Sequence, residues 1–246
     1  MFGRVGNQAE RKRIFTHALK LDRERGDRLR VARALERLSE ANQRLGLYEE
    51  GIRQAREASE IFEELGNTEY RVISLNSLAL ALCQDNQLAA AEDAAFRAIA
   101  LAPDLSPETG QEIRLCVSHR FLGVIYQQKR EKEKAVHHFE TAINIASSVK
   151  SDGELFWNHL NLAYLFFNHG EFDEADTHAK QAKSHAVNDA YNMGSGMEIQ
   201  ARIWDRQDRL EDAKSEVLRA LEILENLGAE EGAERCTAFL RKLNER

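Results

Sequence analysis

Residues 119–142 read HRFLGVIYQQKREKEKAVHHFETA, and this stretch decides the fold. Leu122, Gly123 and Tyr126 belong to one apolar-periodic segment; Ala135, Phe139 and Ala142 belong to a second. Apolar residues three and four apart mark one face of a helix. The polar break QQKREK between the segments turns the pair into a helical hairpin. Working outward, Ala135 falls in register with Gly51, Ala91, Ala175 and Ala213, at spacings of 40, 44, 40 and 38 residues. Thirteen residues before each anchor stand Leu38, Leu78, Leu122, Leu162 and Gln200, each followed by a small residue: Ser39, Ala79, Gly123, Ala163 and Ala201. Seven residues after each anchor stand Ala58, Ala98, Ala142, Ala182 and Ala220. Five aligned copies make an internal repeat. A single hairpin cannot bury its apolar stripe alone, so the copies are expected to stack into a solenoid, with the small residues setting close helix approach.

Composition agrees. The 246 residues contain 2 prolines, Pro103 and Pro107, where average usage of about 5% would give roughly 12. Sandwiches and barrels need many Pro- and Gly-bearing turns, so packed helices are favoured. The longest apolar run, Leu78 to Cys83, is far below the roughly 20 residues that span a bilayer. Three cysteines (Cys83, Cys116, Cys236) lie far apart with no CxxC pair, which suits reduced thiols and a cytoplasmic location. Residues 1–30 carry nine Lys or Arg against four acids; with a total of −7, the remainder carries −12. An acidic body of that kind is a poor partner for phosphate backbones, so neither nucleic acid nor membrane is an expected partner.

The aligned positions match W-x2-L-G-x2-Y, then A-x3-F, A and P, and the chain therefore resembles the tetratricopeptide repeat family over roughly residues 8–228. Pro103 stands where the family has its proline, and Leu122, Gly123, Tyr126, Ala135, Phe139 and Ala142 give the fullest copy. Repeats longer than 34 residues look like those of kinesin light chains and of sensor regions attached to signalling nucleotide hydrolases. Asn42 and Gln200 depart from the pattern, standing at apolar positions. The resemblance implies an all-α, right-handed α-α superhelix of about five hairpins. The expected division is an N-terminal basic half repeat over 1–28; repeats over 29–68, 69–112, 113–150, 151–188 and 189–228; and a capping helix over 229–246, all one solenoid domain. Phe15, Ala18 and Leu21 sit where Ala55, Ala58 and Ile61 sit in the first full copy. That is a second helix without its first, and it suggests a chain cut from a longer protein.

Chemistry is scarce. There is no GxxxxGK[ST]. Gly194-Ser195-Gly196 lacks the outer glycines of a nucleophile elbow and is expected to loosen a helix start. Glu174/His178 and Glu133/His137 read as surface pairs four apart. His119 and His159 occupy the family's Trp slot and are expected inside helix pairs, whereas His137-His138 reads as a solvated pair. No nucleophile–base set or metal-ligand spacing emerges, so no enzyme, cofactor or metal is expected.

The inner face of the first helices carries the functional expectation. In this family that face lines a concave groove. The outer copies are polar there (Arg33, Glu36, Glu40, Gln43; Ser195, Glu198, Arg202, Asp205), while the centre is apolar. The segment FWNHLNLAYLFF is apolar nearly all round, and such a helix is buried or meets a partner. The expected groove residues are Asn76, Leu80, Arg120, Val124, Trp157, Leu160, Asn161, Tyr164, Phe167 and Arg202. Trp157, Tyr164 and Phe167 would anchor a protein or peptide segment, and Arg120, Asn161, Asn76 and Arg202 would orient it. The ligand expected is a peptide with apolar side chains and an acidic group. The carboxylate clamp of chaperone-binding relatives does not fit, because Glu36 and Glu40 occupy its first pair. A small-molecule or signal-peptide sensor, a self-associating module, and a groove filled by its own residues are the competing expectations.

Overall fold

The computed structural model describes residues 8–105, 110–186 and 189–245. Among these residues are twelve α-helices, one 3-10 turn at Ala102–Asp104 and no strand. The helices are α1 (Gln8–Glu24), α2 (Arg28–Arg44), α3 (Tyr48–Glu64), α4 (Thr68–Gln84), α5 (Leu88–Leu101), α6 (Gln111–Gln128), α7 (Lys132–Ser148), α8 (Asp152–His169), α9 (Phe172–Ser184), α10 (Ala190–Arg206), α11 (Leu210–Asn226) and α12 (Glu230–Asn244). The fold is the all-α helical repeat that the register predicts. Pro107 lies outside the described residues. No described helix is long and apolar enough to cross a membrane.

The turns explain the regularity. A residue with positive φ recurs every twenty positions at Gly26, Gly46, Gly66 and Asn86, again at Arg130, Lys150 and Gly170, and again at Asp208 and Gly228. Each ends a helix in the left-handed conformation, and the next amide reaches back five residues: Leu47 N to Asn42 O at 2.9 Å, Gln87 N to Leu82 O at 2.8 Å, Glu131 N to Tyr126 O at 2.9 Å. This closes the helix's last carbonyls and reverses the chain in two residues. New helices are then capped where the sequence allows it, as at Asp27, Asn67 and Asp189, whose side chains accept from the amides of Arg30, Tyr70 and Asn192.

The chain forms two compact units, one of Asn7–Ile145 and one containing Ala146–Arg246. In the N-terminal unit, α1 to α6 each pack on the next, and α2, α4 and α6 also touch in a row. Its core joins Leu35, Leu38, Phe62, Leu75 and Leu82 with buried alanines such as Ala55, Ala58 and Ala98. Within it, α6 and α7 approach so closely that a Cβ on Gly123 would lie 2.5 Å from the Phe139 ring, which is why the sequence has glycine there. In the C-terminal unit, α8 to α12 pack consecutively, and α8, α10 and α12 form the second row.

Two departures from the pattern are accounted for here, and one expectation changes. Asn42 and Gln200 do not loosen the packing, because each finds a polar partner in the interior: Asn42 Nδ2 donates to Gln54 Oε1 at 2.8 Å, and Gln200 Nε2 donates to Asp176, which also accepts from Trp204 Nε1 at 2.8 Å. Gly194 and Gly196 do not loosen a helix start. They lie inside α10, where a Cβ would meet Leu224 Cγ at 2.9 Å and Lys183 Cγ at 2.8 Å. Close helix approach, rather than backbone freedom, accounts for both.

Candidate functional site

The expected groove residues divide between the units. In the N-terminal unit, Asn76 is buried and accepts a hydrogen bond from Ser118 Oγ at 2.9 Å. Leu80, Arg120 and Val124 are half-buried, with the Arg120 guanidinium over the Phe121 ring at 4.9 Å. In the C-terminal unit, Leu160 is buried, Asn161 is half-buried, and Trp157 is exposed beside the edge of Phe156. Phe167 and Arg202 come together in the lining of one cavity, and Tyr164 lies within electrostatic reach of Glu198 and Arg202 beside it.

That lining is built by α8, α10 and α12. A cavity of about 360 Å3 is floored by Phe167 and Phe239 and ringed by the cations Arg202, Arg206, Arg235 and Lys242, with Asp205 the acid among its lining residues. Beneath it lies Glu198, buried to 2% exposure. Arg202 Nη2 and Arg235 Nη2 both donate to this carboxylate at 3.0 Å. Two guanidiniums hold one buried carboxylate, as desolvation demands of an interior charge. Hydrogen bonding to Glu198 also raises the pKa of Arg235. Burial, followed by the nearby Glu198 charge, pushes the Tyr164 hydroxyl up to about 12 and the Cys236 thiol to about 11. The Tyr164 hydroxyl and the Cys236 thiol therefore stay protonated at neutral pH.

The aromatic faces are engaged by cations. Arg202 stands 5.0 Å over Phe239, and Arg206 stands 4.9 Å over Phe172 and 5.9 Å over Phe167. Neither Arg206 nor Lys242 forms an ion pair with a described residue. The arrangement can take an apolar group against the ring edges and an anion against Arg206 and Lys242, which carry no ion pair among the described residues.

Glu198 and Asp205, read from sequence as a polar rim, are instead buried, because α12 packs across α10. The α12 contributors were missed. Arg235, Ala238, Phe239 and Lys242 recur at helical spacing on one face, but the apolar positions Cys236, Phe239 and Leu243 made that helix read only as a cap.

Two further clusters are histidine pairs. His119 Nδ1 lies 3.0 Å from His138 Nδ1 across α6 and α7, and His159 Nδ1 lies 3.1 Å from His178 Nδ1 across α8 and α9. His138 is therefore half-buried rather than fully solvated: its ring stacks on Tyr126 at 5.3 Å and meets the edge of Phe96. His178 likewise turns inward to His159 and stacks on Phe166. Burial, with the neighbouring histidine charges, lowers His138 and His159 to about 4. Among the described residues, no group of three or more His, Cys, Asp or Glu side chains is gathered to hold a metal ion.

Comparison with known proteins places this architecture. A family model for the tetratricopeptide repeat matches residues 121–148. No curated protein sequence matches. Among solved structures, BtubC (BKLC) from P. vanneervenii is 16% identical, with 90% of this chain and 92% of that one covered and a TM-score of 0.70. A Rap protein complexed with Competence and Sporulation Factor is 16% identical, with 94% and 68% covered and a TM-score of 0.67. A signal transduction ATPase with numerous domains, bearing a tetratricopeptide repeat sensor, from Pyrococcus horikoshii, is 15% identical with a TM-score of 0.71; the match covers 94% of this chain and 36% of that one. At these identities the likeness is one of fold.

Proposed function

We propose that this chain, a repeat protein of the tetratricopeptide type, is a non-catalytic interaction or sensor module that binds a protein or peptide segment. The observation that carries the reading is the cavity of the C-terminal unit, where Phe167 and Phe239 form an apolar floor and Arg206 and Lys242 have no acidic partner among the described residues. An apolar floor within a polar, charged rim is the composition of a binding hot spot. The segment it suits carries an apolar side chain next to an acidic group. Trp157 and Tyr164 extend the apolar wall along α8, while in the N-terminal unit Leu80, Arg120 and Val124 are the accessible members of the expected set. Leu160 is buried behind that wall, and Asn76 is buried against Ser118 in its own unit.

A sensor for a small molecule or signal peptide is the second reading, favoured by the cavity's volume, which falls within the few hundred Å3 of small-ligand sites. The Rap protein of similar fold is itself complexed with Competence and Sporulation Factor. Three separate, buried, free thiols fit a reducing cytoplasm. Self-association through the same wall would appear as a concentration-dependent mass.

Selection from a random peptide display library tests the proposal. The wild-type chain is expected to enrich sequences pairing Asp or Glu with Leu, Phe or Tyr, and the doubly reversed Arg206→Glu, Lys242→Glu variant to lose them. Equal enrichment by both proteins would refute this assignment of the site.

A further inference from the structure

A second cavity, of about 190 Å3, lies in the N-terminal unit between α3 and α5, with α4 beneath it. Leu75, Leu78 and Leu82, all buried, are its floor. Two small residues stand on its walls, Ser59 of α3 and Ala94 of α5. In the repeat register the same two positions hold Leu19 with Gln54, Ile99 with His138, Ile143 with His178, and Lys183 with Glu216. Both side chains are large in each of those pairs. Only Ser59 with Ala94 puts a small residue on both sides, and the notch between the helices stays open there.

The polar groups around this notch are unevenly committed. Ser59 is 5% exposed, yet its hydroxyl pairs with no described residue, so the cavity is where its hydrogen bond is to be made. The exposed rim carries both signs of charge. Glu63 is taken by Arg71 at 2.7 Å, and Asp93 stands 3.9 Å from Arg97. Arg56 and Glu60, one helical turn apart on α3, have no ion pair among the described residues. Glu60 also borders a neighbouring cavity beside the α1–α2 turn, but the cations there, Arg23 and Arg28, are held by Glu57 and Glu64. An uncommitted cation and an uncommitted anion thus stand over an aliphatic floor. That combination suits a ligand bearing both charges on a short apolar frame. A phosphorylated ligand would meet three rim acids, Glu60, Glu63 and Asp93. A residue inside a peptide chain carries neither backbone charge. Size agrees as well: an aliphatic cavity of about 150 Å3 is known to hold benzene, so this one has room for a branched four-carbon chain.

We infer that the α3–α4–α5 cavity is a binding site for a free amino acid with a branched aliphatic side chain, of which leucine is the type. Its carboxylate faces Arg56 and accepts from the Ser59 hydroxyl, its ammonium faces Glu60, and its side chain lies on Leu75, Leu78 and Leu82. The inference goes beyond the peptide reading and is independent of it, since the α8–α10–α12 cavity belongs to the other unit and either site can fail without the other.

Calorimetric titration of the full chain with L-leucine tests it, with one site per chain expected. Three ligands each remove one feature: 3-methylbutylamine lacks the carboxylate, 4-methylpentanoate lacks the ammonium, and glycine lacks the side chain. Each should bind about tenfold more weakly than leucine, or worse. Arg56→Gln should abolish the advantage of leucine over the amine, and Glu60→Gln its advantage over the acid. Ser59→Ile, which places there the residue that the next copy has at Ile99, should close the notch and remove binding. The Arg206→Glu, Lys242→Glu chain should bind leucine as the wild type does, which separates this site from the peptide cavity. Circular dichroism establishes that each variant is folded; should one unfold, the ligand series on the wild-type chain decides. Absence of leucine binding by the wild type, equal affinity for leucine, the amine and the acid, or wild-type affinity in folded Arg56→Gln or Glu60→Gln would overturn the inference.

Discussion

The two units use the same helical register but place different side chains on their inner rows. Along α2, α4 and α6, polar side chains find partners on the next helix: Gln43 Nε2 donates to the Ser77 carbonyl at 3.3 Å, Ser118 to Asn76 at 2.9 Å, and Arg114 pairs with Glu69 at 3.2 Å. Along α8, α10 and α12, Glu198 takes up Arg202 and Arg235, yet Arg206 and Lys242 stand on the rim without an acid to meet among the described residues. Arg33 of α2 likewise stands over an aromatic ring, 5.2 Å from Tyr70, so the rows differ in arrangement: the C-terminal one gathers its cations around a cavity. The register is common to both; what differs is the handful of side chains at four positions per helix.

The largest expected effect lies outside the contrast and calibrates it. Phe139→Ala, at a fully buried ring against Gly123, should cost about 3–5 kcal/mol in urea unfolding, because the cavity left behind adds to the lost burial. Next, Glu198→Ala should cost about 1–3 kcal/mol by leaving the Arg235 and Arg202 bonds unmade. The same change should strengthen capture of acidic peptides, as two guanidiniums are released. If Glu198→Ala weakened that capture, the cavity would not be the anion site.

An acid titration sharpens the comparison through the histidines. His138 titrates near 4 in the folded chain, well below its ordinary 6.5, so the unfolded chain binds more protons between those values. Stability attributable to this group is complete above about pH 6.5 and declines as pH falls toward 4. Replacing His138 by Gln should flatten that decline, as measured by thermal midpoint against pH. The smallest effect is a gain. Arg130 and Lys150 hold φ of 62° and 53°, where an L side chain is strained. Replacing either with Gly should stabilise by about 0.5–1 kcal/mol, the net of relieved strain and added chain entropy.

Much of the fold was legible because the repeat is written in small residues. Ala55, Ala95, Ala142 and Gly123 mark helix contacts directly, and the breaks QDNQL and NHGEF mark turns by their polarity. Helical period, with the family resemblance, put Phe167 and Arg202 on the face that lines the cavity. It failed where a third element decides burial. Glu198 and Asp205 lie on a face that reads as exposed until α12 covers it, and Arg235 and Lys242 reach the cavity only through that packing. The histidines failed for a related reason: His138 and His178 sit beside charged neighbours in sequence, and only the hairpin reveals the ring each one faces.

The most direct measurement is a set of intermolecular nuclear Overhauser effects between the isotope-labelled chain and an acidic, apolar peptide recovered by display. Contacts from the peptide to the rings of Phe167 and Phe239 are the predicted result. Contacts confined to Leu80 and Val124 of the N-terminal unit would contradict the account.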